Sequence, residues 1–306
     1  MSIPSQGFQS ELLAIDISQD AFDNISSILK DKTGICLYEG AERLVVSRLS
    51  KFLKPLSFTT FEEYLQHVLS PNGAPELEQM INALTTNTTR FFRERGHFDL
   101  LENQIMPHLI EKARNGERVR IWSAACSSGE EVYSIASVIL KCLPNAADYD
   151  LRILATDIDS DILEEANAGE YRLSALEDVP PGYAEFIFEK EQSGEILKIR
   201  PQARDLISFR YLNFMDPWPV SGPFDVIFCR NVTIYMDEAT QMRIWAGLEK
   251  VLHPDGFLFI GHSERIGPSL SNRLELFGPT AFRRPQAISL NSTSIMEKQN
   301  VTSQYT

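Results

Sequence analysis

Apolar residues in the first third of the chain recur at spacings of three and four, which is the period of an amphipathic helix. Phe22, Ile25 and Leu29 share one helical face, and Gly34 follows as a C-terminal stop signal. Strand-like alternation is scarce in this region. The pattern therefore predicts an all-helical region, with helices near residues 21–33, 42–54, 61–69 and 75–84.

From residue 118 the pattern changes to short apolar runs that alternate with helical segments. The run FDVIFC at 224–229 is apolar except for Asp225, as expected for a parallel strand covered on both faces. Alternation of strand and helix predicts an α/β fold with a mostly parallel, Rossmann-like sheet. Further strands are predicted at 119–122, 151–159, 207–212 and 257–261, with a closing antiparallel pair at 274–277 and 281–284.

Residues 185–200 interrupt this alternation. Apolar and polar residues alternate on either side of Ser193-Gly194, which is a turn signal. The pattern predicts a hairpin of residues 185–190 against 195–200, inside a small antiparallel insertion at about 183–204.

The first predicted strand leads through a turn of small residues into a helix, in the stretch VRIWSAACSSGEEVYSIA at 119–136. This arrangement opens a βαβ unit, and such a turn usually holds a nucleotide. The helix starts with Glu130 and Glu131, which repel phosphate, and the glycine patterns of NAD and ATP sites are missing. S-adenosylmethionine (SAM), which has no phosphate and carries positive charge, fits better. The alternative is a structural turn with two capping acids.

Polar residues also stand at the ends of other predicted strands. Asp157 ends the second strand, where an acid is placed to bond a ribose diol, and Asp159 is a candidate cap for the next helix. Asn213, Arg230 and Asn231 follow the third and fourth strands. In a parallel sheet these positions share one carboxyl edge. The acidic turn and the acid-tipped second strand predict a SAM-dependent methyltransferase.

The segment LTTNTTRFFRERGHF at 84–98 connects the two regions. Its hydroxyl and amide side chains suit a loop or a helix start rather than a helix interior. Arg90, Arg93 and Arg95 follow among three phenylalanines. One interpretation is a polar linker that caps a helix. The other is a lid whose side chains reach a ligand in the neighbouring domain.

The predicted helix at 42–54 has a basic side opposite its apolar side. At about 100° per residue, Arg43, Arg48, Lys51 and Lys54 fall together. Such a face is usually only solvated. In a chain with a net charge of −13, it is also a candidate docking surface for an acidic protein partner.

The composition limits the class of protein. The 306 residues are 43% hydrophobic, which supports one or two domains, and the net charge of −13 argues against nucleic acid as a partner. No apolar run approaches the roughly 18 residues of a membrane span, and the N-terminus does not resemble a signal peptide. The four cysteines have neither metal-site nor disulfide spacing. We therefore expect a cytoplasmic protein without a metal and without direct membrane insertion.

Several segments together resemble the CheR family, the chemotaxis-receptor glutamate O-methyltransferases. They are TTNTTRFFRE, IWSAACSSGEEVYSIA, ATDIDSDILEEANAGEYR, FDVIFCRNVTIYMD and HPDGFLFIGHSE, in the family's order over about residues 20–284. The resemblance implies a small helical domain and a SAM-binding α/β domain with a β insertion. The expected divisions are a flexible N-terminus (1–20), the helical domain (21–86), the methyltransferase domain (87–286) and a disordered tail (287–306).

The resemblance also implies which residues contact SAM and its product, S-adenosylhomocysteine. Glu131 matches the family contact better than Glu130. The implied substrate is a glutamate carboxylate on the cytoplasmic helices of methyl-accepting chemoreceptors, recognised by the basic helix at 42–54. The expected SAM contacts are Asn87, Thr89, Arg93, Glu131, Asp157, Asn213, Phe214, Arg230 and Asn231.

The sequence departs from the family at a few positions. Val132 replaces a proline that is favoured but not required in a first helical turn, and Met236 replaces an aromatic residue. Members that dock on a receptor C-terminal pentapeptide have a glycine-richer hairpin, whereas residues 189–195 have one glycine among several glutamates. The resemblance does not carry tethering through that peptide over to this chain.

Methyl transfer to a glutamate needs no general base, because the carboxylate is already ionised at neutral pH. Alignment and removal of water are the tasks that remain. Arg93 is the candidate that orients the carboxylate of the substrate or of SAM. Tyr235 is a candidate lining of the methyl channel, or else an aromatic residue packed at the sheet edge. Two alternatives stay open: a SAM-binding scaffold or sensor without catalysis, and a methyltransferase for another protein carboxylate or a small molecule.

Overall fold

A computed structural model of the chain describes residues 16–189, 195–267, 270 and 272–285. In that part, four helices form an N-terminal domain, and a helix-flanked sheet with a small antiparallel element forms the rest. The predicted fold class is confirmed. The hairpin tip and the predicted disordered tail lie outside the described residues. Of the predicted flexible N-terminus only residues 16–20 are described, and a helix already begins at Gln19.

Local sequence signals set the ends of the N-terminal helices. Ser18 accepts a hydrogen bond from the Ala21 N–H at the first helix start, and Gly34 follows the helix with φ 78°. Thr60 and Glu63 form a reciprocal capping box. All four predicted helices are present. They are α1 (Gln19–Thr33), α2 (Glu42–Leu53), α3 (Phe61–Val68) and α4 (Ala74–Leu84).

The apolar faces of these helices form a core of their own. Phe61, Tyr64 and Leu29 are fully buried in it. After the linker, α5 (Gly96–Leu100) and α6 (Met106–Arg114) are joined by a π-helical turn and pack in the separate core of the sheet. The helical domain therefore has a hydrophobic core of its own, separate from the packing around the sheet.

The central sheet has the strand order β5-β2-β1-β6-β7-β9-β8. The first five strands in that order are mutually parallel, and β9 and β8 close the sheet with antiparallel pairings, as predicted. The order reverses between β1 and β6, the point at which such sheets bind ligands. The strands are β1 (Val119–Ala124), β2 (Leu151–Asp157), β3 (Glu170–Arg172), β4 (Ile196–Lys198), β5 (Ile207–Tyr211), β6 (Phe224–Cys229), β7 (Leu252–Ile260), β8 (Glu275–Gly278) and β9 (Ala281–Arg283).

Helices cover both faces of the sheet. Alternate strand residues such as Ile121 and Trp122 enter different cores, one with α7 and the other with α11. Helix α11 ends at Val251, and β7 begins directly after it at Leu252, five residues before the predicted strand at 257–261. No described helix is both long and apolar enough to cross a bilayer. The helices of this part are α7 (Glu130–Cys142), α8 (Ser160–Ala168), α9 (Ala184–Ile187), α10 (Pro201–Arg204) and α11 (Glu238–Val251).

The insertion corrects one prediction. Residues 185–187 of the predicted first arm belong to the short helix α9. Among the described residues the arm meets the second one through an isolated antiparallel bridge of Phe188 to Ile199, and the Glu189 N–H donates to the Lys198 carbonyl at 3.0 Å. Strand β4 pairs with β3, which precedes α9, with Tyr171 opposite Leu197. Alternating polarity identified an antiparallel element, but it does not identify the partner when the partner is distant in sequence.

Candidate functional site

A cleft lies at the carboxyl edge of the sheet, beside the point where the strand order reverses. The space between its walls, including the part that is open to solvent, is about 910 Å³. The linker and the loops after β1, β2, β5 and β6 all contribute to its wall. Tyr235 lines it, and so does every residue expected to contact SAM: Asn87, Thr89, Arg93, Glu131, Asp157, Asn213, Phe214, Arg230 and Asn231.

Further residues of the cleft wall were not among the expected contacts. Most of them lie in the same sequence segments as the expected contacts, so their closeness to those contacts in the sequence was the signal that could have identified them. Thr33 and Ile35 come from the end of α1 and carried no such signal, because their position depends on how the helical domain packs. The additional residues are Thr33, Ile35, Thr85, Thr86, Thr88, Ala125, Cys126, Ser127, Ile158, Leu212, Val232 and Met236.

The turn after β1 brings backbone to the cleft. Ala125, Ser127 and Gly129 have φ values of 68°, 51° and 96°, all in the left-handed region. A Cβ at Gly129 would lie 2.9 Å from the Tyr171 hydroxyl and 3.1 Å from the Ala166 Cβ, so only glycine fits there. Strained non-glycine residues of this kind cluster at functional sites.

Asp157 lies at the end of β2 and is 7% exposed. Its Oδ2 accepts a hydrogen bond from the Ser127 N–H at 2.8 Å, and its Oδ1 accepts one from the Asp159 N–H at 3.1 Å. Burial raises the pKa of Asp157, against the lowering effect of these N–H groups. A carboxylate has about four acceptor positions, so two remain for a ligand diol.

Asp159 caps the next helix, which confirms that alternative for this residue. Its Oδ1 accepts from the N–H groups of Asp161 and Ile162 at 3.1 Å. Its Oδ2 accepts from the Asn87 amide at 2.7 Å and from the Thr85 hydroxyl at 2.9 Å. The cap of α8 therefore also holds the linker against the sheet.

Arg230, at the end of β6, lies between two carboxylates. Its side chain is 2% exposed, with Nη1 2.9 Å from Glu131 Oε2 and Nη2 2.9 Å from Glu94 Oε2. The Ser123 hydroxyl donates to the other Glu131 oxygen at 2.7 Å. Burial raises the pKa of Glu131 in spite of the guanidinium. At Glu94 burial acts in the same direction, but Arg230 and the hydrogen bonds from the His262 N–H and the Asn231 amide together lower the pKa.

The two acids at the start of α7 have different surroundings. Glu131 reaches the cleft and Arg230, whereas Glu130 accepts a hydrogen bond from the Ser128 hydroxyl at 2.6 Å and does not line the cleft. The first turn of a helix presents successive side chains about 100° apart, which accounts for the difference.

Glu264 organises the loop after β6, a role that the sequence analysis did not assign. It is 3% exposed, and its two oxygens accept from the N–H groups of Asn231, Val232 and Thr233 at 2.8–3.0 Å. Glu94 holds the Asn231 side chain from the other side, with Nδ2 3.2 Å from Oε1. Both acids lie in the quoted family segments, but nothing local marks them as loop anchors.

The remaining expected contacts have partners of their own. Arg93 is half-buried and its Nη1 donates to the Thr88 carbonyl at 2.8 Å. The Asn213 amide donates to the Lys32 carbonyl at 2.8 Å. Phe214 packs on Trp218 with 5.5 Å between ring centroids. These contacts hold the linker and the loop after β5 at the cleft.

The basic side of α2 corrects one expected docking residue. Arg43, Lys51 and Lys54 are exposed, as predicted. Arg48 is half-buried, and its Nη1 donates to the carbonyls of Leu84 at 3.0 Å and Thr85 at 2.6 Å. A cation suits these carbonyls at the end of α4, because they carry the negative end of the helix dipole. Helical periodicity cannot detect a partner on another helix.

Comparisons with known families match nearly all of the described chain. The family model "CheR methyltransferase, SAM binding domain" matches residues 87–282, and "CheR methyltransferase, all-alpha domain" matches residues 20–85. The first model therefore covers most of the cleft wall, and the second covers nearly all of α1 to α4, including Thr33 and Ile35 of that wall.

Curated relatives match over most of their length. A probable chemotaxis protein methyltransferase of Rhizobium etli is 48% identical over 82% of this chain and 94% of the relative. The chemotaxis protein methyltransferase of Borreliella burgdorferi is 37% identical over 89% of this chain and 96% of the relative. That of Escherichia coli is 37% identical over 87% and 91%, respectively.

Proposed function

Because this chain belongs to the CheR methyltransferase family, we propose that it transfers the methyl group of SAM to glutamate side chains of chemoreceptors. It is a SAM-dependent methyltransferase, and its relatives carry the name chemotaxis protein methyltransferase. The product on the receptor is a glutamate methyl ester, and the second product is S-adenosylhomocysteine.

One observation carries the proposal: a single cleft gathers the residues that the family resemblance assigns to SAM. Asp157 is the ribose partner, because its buried carboxylate retains free acceptor positions. Glu131 places negative charge at the start of α7, which disfavours a phosphate and suits a cationic ligand. The fit supports SAM over NAD or ATP.

The chemistry needs little from the protein except placement. When SAM is bound, a glutamate oxygen forms a bond to the methyl carbon while the carbon–sulfur bond breaks, and the electron pair stays on sulfur. A carboxylate and a sulfonium become a neutral ester and a neutral thioether. Because charge is lost in this step, exclusion of water by the walls of the cleft favours it. No proton has to be removed, since the carboxylate is ionised at neutral pH.

Arg93 and Tyr235 are the residues that we assign to the reacting groups. A guanidinium has five N–H donors, so the bond from Arg93 to the Thr88 carbonyl leaves donors for a carboxylate of the substrate or of SAM. Tyr235 follows β6 and lines the cleft where the loop meets the end of α1. It is placed to bound the channel through which the substrate oxygen approaches.

The protein partner is the cytoplasmic helical region of a methyl-accepting receptor, so the enzyme works in the cytoplasm. The exposed cations Arg43, Lys51 and Lys54 of α2 are the proposed docking surface for acidic positions on that region. Arg48 is assigned a structural role instead.

The test is transfer of tritiated methyl from SAM to receptor-containing membranes of the organism that encodes this chain. We expect label on a receptor-sized band, and alkali should release it as volatile methanol, which identifies a carboxyl methyl ester. Arg93→Ala should abolish the label without unfolding the protein. Arg90→Ala is the matched control, because Arg90 is exposed, pairs with Asp178 at 3.6 Å and does not line the cleft.

The rival function is a SAM-binding scaffold or sensor. Absence of alkali-labile label, while calorimetry still detects S-adenosylhomocysteine binding, would contradict catalysis on receptors and favour this rival. Label on a small-molecule fraction instead of the receptor band would contradict the protein substrate.

A further inference from the structure

Two histidines and a glutamate converge behind the cleft wall. His97 Nδ1 lies 3.5 Å from Glu94 Oε2, and His262 Nε2 lies 3.8 Å from the same oxygen. One donor atom from each residue lies within 4.8 Å of the other two. None of the three residues lines the cleft, although Glu94 also contacts Arg230 and Asn231 of the cleft wall.

The hydrogen bonds of His97 determine which nitrogen carries its proton. Its Nε2 lies 3.0 Å from the Pro279 carbonyl oxygen and 2.8 Å from the Thr280 hydroxyl oxygen. A carbonyl oxygen can only accept, so Nε2 must carry the hydrogen. The Nδ1 atom of the neutral ring then has no hydrogen, and its lone pair faces the Glu94 carboxylate.

This lone pair has no hydrogen-bond partner. The His97 side chain is 2% exposed, and its buried Nδ1 is unsatisfied among the described residues. A buried polar atom without a partner destabilises the folded state, so it calls for an explanation. A second proton on the ring would draw Nδ1 to about 2.7–2.9 Å from the carboxylate, and the separation here is 3.5 Å.

A metal ion accounts for the three converging atoms. We propose that Glu94, His97 and His262 bind a divalent first-row transition metal such as Zn²⁺. Two imidazole nitrogens and one carboxylate oxygen form a ligand set that Zn²⁺ prefers, whereas Mg²⁺ and Ca²⁺ prefer oxygen ligands throughout. The Nε2–H bond to the Pro279 carbonyl is the kind of outer contact that orients metal-binding histidines.

The surroundings suit a cation. Glu94 Oε2 is also 2.9 Å from Arg230 Nη2, and Glu131 pairs with the other side of that guanidinium, so these two carboxylates outnumber the one neighbouring cation. The His262 side chain is 59% exposed, which provides an entry path and room for water as a further ligand. Tetrahedral donors at about 2.0–2.2 Å from Zn²⁺ lie about 3.3–3.6 Å apart. The separations of His97 Nδ1 and His262 Nε2 from Glu94 Oε2, 3.5 and 3.8 Å, are close to that range.

The test is titration of the full-length, metal-free chain with Zn²⁺ in a calorimeter. We expect one Zn²⁺ per chain, at least a tenfold loss of affinity in His262→Gln, and a similar loss in His97→Gln. The matched control is His253→Gln, because His253 also lies beside a carboxylate, 4.0 Å from Asp255 Oδ2, but has no second histidine in its cluster. His262 is at the surface, so its variant should fold even if His97→Gln does not.

Cobalt distinguishes this site from adventitious binding to the four cysteines. Co²⁺ bound by two histidines and a carboxylate gives visible absorption without a thiolate-to-metal charge-transfer band. Absence of Zn²⁺ binding, equal affinity in His262→Gln and the unsubstituted chain, or a thiolate band with Co²⁺ would each overturn the proposal.

Discussion

Glu131 is a buried acid, and its burial makes ionisation of the carboxyl group less favourable. Burial raises its pKa, and the Arg230 guanidinium and the Ser123 hydroxyl only partly offset that effect. Burial raises the pKa of Asp157 as well. Buried acids with raised pKa values are typical of functional sites, where the charge is used on a ligand.

Exchange of Glu131 for glutamine tests whether the negative charge of Glu131 contributes to SAM binding. Glu131→Gln keeps the shape and can still bond Ser123 and Arg230, but it removes the charge. Charge-assisted hydrogen bonds contribute about 1.5–3 kcal/mol, so the Kd for SAM should rise about 10- to 150-fold in calorimetry. Glu130→Gln, one residue earlier and outside the cleft, should leave the Kd unchanged. Equal effects of the two variants would contradict the assignment.

The pH dependence of binding follows from the raised pKa values of Glu131 and Asp157. If SAM binds the ionised acids, its affinity should fall as the pH falls through these pKa values. The fall should begin above the usual glutamate range near 4.3. The stability of the fold depends on pH in the opposite direction. A raised acid pKa means that the folded state binds the proton more readily than the unfolded state, so Glu131 lowers the free energy of unfolding as the pH rises. Calorimetric Kd values across pH, with Glu131→Gln for comparison, check the first expectation.

Helix α2 shows how one element serves two purposes. Its apolar side packs in the helical domain, with Val45, Leu49 and Leu53 fully buried. Its polar side divides in turn, because Arg48 bonds the end of α4 while Lys51 and Lys54 are exposed. Arg48 thereby ties α2 to Thr85, a residue of the cleft wall.

Charge reversal on α2 tests the docking surface. Lys51→Glu together with Lys54→Glu should raise the KM for receptor several-fold, more so at low salt, and should spare the Kd for SAM, because surface charges steer association. Arg114→Glu with Lys250→Glu makes the same change in net charge at exposed positions elsewhere. An equal rise in KM in both double variants would show a general charge effect rather than a docking surface.

At the scale of the whole molecule, the cleft belongs to both domains. Ile35 forms an isolated antiparallel bridge with Met236, and the Cys36 N–H donates to the Tyr235 carbonyl at 2.8 Å. Lys30 pairs with Asp237 at 2.9 Å. The end of α1 is therefore attached to the loop that carries the proposed catalytic tyrosine. A ligand in the cleft would therefore contact residues of the helical domain and of the sheet domain.

Ligand binding should accordingly stabilise both domains together. At about 100 times its Kd, S-adenosylhomocysteine should add about 2.7 kcal/mol to the free energy of unfolding. Differential scanning calorimetry should show the whole transition moving upward. A profile in which only one of two resolved transitions moves would show that the helical domain does not take part in the site.

Much of the fold and the site can be predicted from the sequence, because the relevant signals are local. Helical period located α1 to α4, apolar runs located the parallel strands, and strand ends marked Asp157 and Arg230 as edge residues. Parallel topology alone then brings those ends to one edge. The family resemblance, confirmed by the matched family models, added the linker residues that no period marks.

Contacts between residues far apart in the sequence were determined only by the tertiary structure. The pairing of β4 with β3, the bond of Arg48 to α4 and the anchoring of the β6 loop by Glu264 all belong to this class. So does the meeting of Glu94 and His97 with His262. Periodicity and capping are properties of neighbouring residues, so they record which face of an element is buried. Which partner meets that face is determined by packing of the complete chain.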